Sequence, residues 1–196
     1  DFDLAVHDLI KKYASEHQRI VFNGNGYSEE WVEEAARRGL PNIRTMVEAI
    51  PVLTEEKTIE LFEKFKVFTR AELESRAEIQ YETYSKAINI EARSMIDIAS
   101  KHIIPAVLQY TTALATSINQ IREACTEANI SVQIELLKEC SSLLAATKAA
   151  LKELTEVTET AAAKPEGRER AVYIQDMVVP AMEALRRPVD RLEMLV

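Results

Sequence analysis

A long interval without glycine constrains this chain more than any other feature. No glycine occurs between Gly39 and Gly167 in a chain of 196 residues. A β-sheet needs frequent tight turns, and such turns favour glycine. The interval therefore predicts an all-α fold with almost no β-structure.

Residues 70 to 128 are predicted to form one long helix, because the apolar and small side chains recur about every 3.6 residues. A helix of this length needs antiparallel partner helices around it, and together they would form a bundle. We expect Pro105 to kink it, and Pro180 and Pro188 to bend the last helix. The predicted inner face consists of Ala77, Tyr81, Tyr84, Ile88, Ala92, Met95, Ala99, Ile103, Ala106, Tyr110, Leu114, Ile118, Ile121, Cys125 and Ala128.

The ends of these helices carry capping signals. Thr69 and Glu72 have the spacing of a capping box at the start of the long helix. Asn129 or Ser131 is expected to cap the return helix, and residues 164 to 167 form the next turn. These signals place a long helical bundle over residues 69 to 196.

The first 68 residues predict a smaller subdomain of short helices. Residues 3 to 17 form an amphipathic helix, and a second short helix is expected over residues 43 to 50. Residues 19 to 23 could be one strand or an extended strut. The segment Asn23 to Ser28 is an Asn/Gly-rich loop whose two Asn-Gly pairs suit positive φ. A third helix is expected after Thr54.

The helix that follows this loop has two predicted ends. Ser28 is the expected N-cap, with Glu29 and Glu30 in the first turn. Gly39 is expected just beyond the C-terminus. A loop before a helix N-terminus can bind an anion, but Glu29 stands where a dinucleotide-binding fingerprint needs glycine. The pattern favours a structural turn over an anion site.

No pattern in the chain predicts an active site. His7, His17 and His102 are scattered; although His7 could join Asp3 and Asp8 in a metal site, an exposed helix face is the better interpretation. The cysteines Cys125 and Cys140 and the tyrosines Tyr81, Tyr84 and Tyr110 are expected in the core; the tyrosines could also stack on a ligand. We therefore predict no catalytic, cofactor-binding or metal-binding residue.

Charge and hydropathy restrict the partners. The net charge is -8, and no cluster of lysine and arginine stands out. Nucleic acid and anionic membranes are therefore poor partners, since both require a basic surface. With no long apolar run and no basic N-terminal region, a cytoplasmic protein is expected.

Several blocks resemble the C-terminal region of type III glutamine synthetases. They are residues 19–31, 38–42, 61–64, 88–92, 95–97, 103–107 and 192–196. The resemblance implies part of a long cytoplasmic enzyme that joins glutamate and ammonia with ATP and Mg or Mn and assembles as a double-ringed dodecamer. In that family the catalytic residues lie upstream of this region, so none is carried over.

Two functions follow from these observations. The first is a helical scaffold and interface domain whose partners are the rest of a glutamine synthetase chain and neighbouring subunits. The alternative is a stand-alone helical module, an adaptor or sensor without catalytic activity. The blocks at residues 19–42 and 86–107 distinguish the two functions and favour the first, because an adaptor has no need for the Asn-Gly loop before a capped helix.

Overall fold

The computed structural model describes residues 1–196 and contains helices and turns without a β-strand. The predicted all-α fold is confirmed. The chain divides into two compact units, Asp1–Glu48 and Ala49–Val196. The subdomain boundary near residue 68 stays a prediction.

The first unit is built from short helices. They are α1 (Phe2–Glu16), α2 (Glu29–Arg37) and most of α3 (Met46–Ala49), and a 3-10 turn over Gln18–Ile20 follows α1. Val21 then has extended backbone angles without a strand partner, so the segment before the loop is a strut.

Both predicted ends of α2 are confirmed. The Ser28 hydroxyl oxygen accepts a hydrogen bond from the Trp31 N–H at 3.4 Å. At the other end Gly39 has φ of 67°, and the Leu40 N–H donates to the Ala35 carbonyl at 2.9 Å. This is the Schellman arrangement, in which a left-handed residue lets the chain leave the helix.

The second unit contains the long helices together with two short ones. They are α4 (Glu56–Lys64), α5 (Arg70–Ile98), α6 (Ile104–Ala124), α7 (Ser131–Ala163), α8 (Arg168–Tyr173) and α9 (Val179–Glu193). Helix α7 packs against both α6 and α9, and α5 packs against α7 and α8. The unit therefore surrounds α7 with the other long helices.

Local signals set several of these ends. The capping box at Thr69 and Glu72 is confirmed, with the Glu72 carboxylate accepting from the Thr69 N–H at 2.8 Å. Of the two caps considered for α7, Asn129 supplies the side chain: its Oδ1 accepts from the Ser131 N–H at 3.0 Å. Helix α4 ends in a second Schellman turn, where Lys66 has φ of 54°.

The helix predicted over residues 43 to 50 is shorter than expected. It begins only at Met46, and from Ile50 to Thr54 the chain tightens into a 3-10 turn that includes Pro51. Proline fits the start of such a turn because its missing N–H has no helical partner there.

Proline interrupts the long helix through a wide turn. Between α5 and α6 the residues Ala99–Ile103 form a π turn, closed by the Ile104 N–H on the Ala99 carbonyl five residues earlier. Pro105 follows directly. Its ring would clash with the carbonyl of Lys101 in a regular helix, and the wider turn accommodates the ring.

The last helix also contains a π turn before a proline. Residues Ile174–Val178 form a second π turn, closed by the Val179 N–H on the Ile174 carbonyl, and Pro180 follows. Pro188, by contrast, lies inside α9 without a change of helix type. The sequence did not predict either π turn.

Part of the predicted inner face is wrong directly after the first π turn. Val107 is buried, whereas Ala106 is exposed. The difference is local, because Ile118 farther along α6 is buried as predicted. Cys125 is also exposed, because α6 ends at Ala124.

The core of the second unit includes two clusters. The larger one includes Ala92, Ala99, Leu151, Leu154, Ile174, Val178 and Leu185, and the smaller one consists of Val107, Cys140 and Leu192. Tyr84 packs against the first cluster and Tyr110 against the second, as core packing predicts.

Candidate functional site

Helix α1 presents an apolar face to solvent. None of its residues is buried, and Phe2 is 80% and Leu9 50% exposed. With Val6 and Tyr13 these residues are spaced four, three and four positions apart, which places them in one stripe. A continuous exposed apolar stripe is typical of an interaction surface.

Arg38 holds the strut beside α2. Its Nη1 donates to the carbonyls of Val21 at 2.6 Å and Arg19 at 3.1 Å, and its guanidinium lies 5.9 Å from the centre of the Phe22 ring. Its Nε donates to the Glu34 carboxylate. One side chain thus joins the strut to α2.

Glu34 receives hydrogen bonds from two arginines. Arg37 and Arg38 both donate to its carboxylate. These bonds favour the charged form and lower the pKa of Glu34 from 4.5 to about 2. The carboxylate therefore stays ionised over the whole ordinary pH range.

An aromatic pair closes the loop onto α2. The rings of Phe22 and Trp31 have centroids 4.6 Å apart. A Cβ atom at Gly24 would lie 2.5 Å from Phe22 Cζ, whereas one at Gly26 would meet nothing within 4 Å. Neither Gly24 nor Gly26 has positive φ, so the expectation of positive φ at the two Asn-Gly pairs is wrong. Because Gly24 has no side chain, the Phe22 ring can lie directly against its backbone.

The remaining bonds of the loop are local. Asn25 Oδ1 accepts from the Tyr27 N–H at 3.0 Å, and the Ser28 hydroxyl donates to the Asn25 carbonyl at 2.8 Å. The Glu29 carboxylate binds Arg44 at 2.7 Å, while Tyr27 is fully exposed. This arrangement favours a structural turn that displays one tyrosine.

The other candidate residues do not converge. No group of three or more His, Cys, Asp or Glu side chains could hold a metal ion, and His7 faces only its neighbour Asp8, at 3.3 Å. Cys125 is exposed, contrary to expectation, while burial raises the pKa of the Cys140 thiol. That the chain lacks catalytic and cofactor-binding residues stays a prediction.

The family follows from a match that covers more than half of the chain. Residues 5–122 match the family model described as glutamine synthetase C-terminal domain. The chain belongs to this family. The match begins within α1 and ends near the end of α6, so the strut, the Asn-Gly loop and all of the exposed stripe except Phe2 lie inside the matched residues.

Three relatives extend the similarity over nearly the whole chain. Glutamine synthetase from Butyrivibrio fibrisolvens is 35% identical over 97% of the chain, and that from Bacteroides fragilis (strain YCH46) 33% over 98%. Type-3 glutamine synthetase from Dictyostelium discoideum is 34% identical over 98%. The chain spans 27% of the length of each relative.

The glutamine synthetase C-terminal domain contains no helix long and apolar enough to cross a membrane.

In the same domain Tyr81 is buried and Tyr84 partly buried, and desolvation raises the pKa of both phenols. Both hydroxyl groups are therefore held in the neutral form, as expected for side chains that pack in a core.

Proposed function

We propose that this chain is the C-terminal scaffold and interface domain of a type III glutamine synthetase. The polypeptide that carries it would join glutamate and ammonia at the expense of ATP, with Mg or Mn as the metal, in the cytoplasm. Support comes from the three relatives. Each is about four times as long as the segment that matches this chain, and one of them is named type-3.

The exposed stripe of α1 is the observation that carries the interface role. A helix with one apolar face is stabilised mainly by burying that face. Here no residue of α1 is buried. We infer that the stripe packs against the catalytic part of the same polypeptide, to which α1 is the nearest helix of this domain in sequence.

The second unit supplies the scaffold. Its two core clusters fix α5 to α9 without any contribution from α1. A self-contained helical body can hold neighbouring subunits at fixed distances, and we propose that it does so in a dodecamer of two rings. The ATP and metal sites would lie in the catalytic part.

A stand-alone adaptor or sensor is not favoured. Such a module has no reason to match glutamine synthetases over 97% or 98% of its length. The two proposals differ in what covers the apolar stripe of α1. An interface domain needs the rest of the enzyme to cover it, whereas a stand-alone module does not.

Leu9→Ser in the full-length enzyme tests the interface, with Lys11→Ser on the polar side of α1 as the control. Full burial of a leucine contributes about 1.5–3 kcal/mol. We expect Leu9→Ser to lower the melting temperature and the fraction of assembled enzyme, measured by light scattering after size-exclusion chromatography. In the 196-residue chain alone, neither substitution should change the melting temperature.

Equal effects of the two substitutions in the full-length enzyme would contradict the proposed interface. A large loss of stability from Leu9→Ser in the 196-residue chain would show that α1 is already buried there, and the stripe would then have no partner to find.

A further inference from the structure

A small cavity that opens to solvent lies in the second unit, where α5, the end of α7 and the start of α8 meet. Its volume is about 100 Å³. A single water needs only about 15 Å³ measured in this way, so the space accepts a ligand of several heavy atoms. The polar groups of its wall are Glu82, Ser85, Lys86, Asn89, Glu166 and Arg170.

Ser85 is the first sign of a missing ligand. Its side chain lines the cavity, the residue is 6% exposed, and its hydroxyl has no hydrogen-bond partner. A buried polar group without a partner costs free energy and calls for an explanation. Thr147 and Thr158 are also buried without partners, but neither lines this cavity.

The charges of the wall are the second sign. Lys86 forms an ion pair with Glu82 on α5, and Arg170 Nη1 lies 3.3 Å from Glu166. Both pairs line the same cavity. The wall therefore offers two positive and two negative groups.

Arg170 is held rigidly in this wall. Besides Glu166, its guanidinium donates to the backbone carbonyls of Ala162, at 3.4 Å, and of Lys164. These bonds fix the cation against the end of α7. The cavity is also lined by Ile174, the first residue of the second π turn, and π turns are frequent at binding sites.

The balance of charge restricts the ligand. A simple anion would meet two carboxylates as well as two cations, and a simple cation would meet the reverse. An apolar molecule would leave the Ser85 hydroxyl unpaired. A molecule that carries both a carboxylate and an ammonium group satisfies all these groups together.

We propose that this cavity binds a small zwitterion, a free α-amino acid of the size of glycine, alanine or serine. Its carboxylate faces Lys86 and Arg170 and accepts a hydrogen bond from Ser85, and its ammonium group faces Glu82 and Glu166. This site is separate from the α1 stripe and does not depend on the function proposed above.

The ligand class is tested by titrating the 196-residue chain with glycine and L-serine, followed by amide chemical shifts. Acetate and methylammonium are the matched probes, because each carries only one of the two charges. We expect saturable shifts around the cavity for the amino acids and at least about tenfold weaker binding of the single-charge probes. No saturable binding of either amino acid, or equally tight binding of acetate, would overturn the proposal.

Two substitutions separate binding from packing. Ser85→Ala removes one unpaired hydroxyl and Thr158→Val another that lies outside the cavity, so both should raise the melting temperature of the ligand-free chain. Only Ser85→Ala should weaken L-serine binding, by about tenfold, the effect of losing one hydrogen bond to a charged group. If the two variants bind L-serine equally well, Ser85 is not part of a site and the proposal fails.

Discussion

The two units of the chain hold their structure in different ways. In residues 1–48 only Ala35 and Val47 are buried apolar side chains, whereas the second unit has two clusters of them. The first unit depends instead on caps, on the Arg38 hydrogen bonds and on the Phe22–Trp31 pair. The comparison shows that one chain can combine a self-sufficient body with a part that is shaped by polar and aromatic contacts and still exposes an apolar surface.

The largest expected effect tests the core of the second unit. Leu154 is fully buried, and Leu154→Ala should lower the free energy of unfolding by about 2–5 kcal/mol through lost contacts and a cavity. The same change at the exposed Leu9 should cost less than about 0.5 kcal/mol. Urea denaturation followed by circular dichroism measures both. Similar losses at the two positions would remove the contrast between the units.

The aromatic pair of the first unit is tested at its two glycines. Gly24→Ala places a methyl group against the Phe22 ring and should cost about 1–3 kcal/mol as overpacking. Gly26→Ala meets nothing and serves as the control. Trp31 is the single tryptophan, so its fluorescence reports the change directly. An unchanged spectrum for Gly24→Ala would mean that the ring does not depend on this glycine.

The two Schellman turns give one substitution in each unit. Lys66 adopts φ of 54°, which is unfavourable for a residue with a side chain, so Lys66→Gly should stabilise the chain by about 1 kcal/mol. Gly39 has φ of 67° and no neighbour within 4 Å, so Gly39→Ala should destabilise it by a similar amount, about 1 kcal/mol, through the backbone alone. Thermal unfolding measures both. Loss of stability in Lys66→Gly would show that the lysine side chain contributes more than its backbone costs.

The smallest expected effect is the pH dependence of the Arg38 contacts. The folded-state pKa of Glu34 lies at about 2, below its ordinary 4.5, so its contribution to stability is present above pH 4.5 and is lost as the pH falls to about 2. The difference in melting temperature between the wild type and Glu34→Gln should shrink across that interval. Glu33→Gln at a neighbouring position is the control. A difference that stays constant down to about pH 2 would contradict the ion pairs.

Local signals explain why so much of the fold could be predicted. The capping box at Thr69, the N-cap at Ser28 and the left-handed Gly39 each depend on a few neighbouring residues. The long helix was predictable because periodicity is also local. The π turns were not, since a proline in sequence indicates a disturbed helix but not whether the chain bends or widens. The burial of Val107 in place of Ala106 was missed for the same reason.

The candidate sites were harder to predict. The amphipathic pattern of α1 indicated which side is apolar, but only the structure shows that this side is exposed. Gly24 looked like a turn residue because contact with the Phe22 ring is invisible in sequence. A signal for the cavity was present: Ser85 follows Tyr81 by four residues, so a polar group falls on the inner face of α5.

The two π turns have a consequence for the comparison of family members. Each contains one residue more than a regular turn, so Pro105 and Pro180 divide their helices into halves whose side chains are out of phase. A homologue that lacks one of these prolines and has a regular helix should align with a single-residue gap just before that position. Without this gap, the alignment would pair each inward-facing residue of one protein with a residue of the other that lies one position away from its inner face.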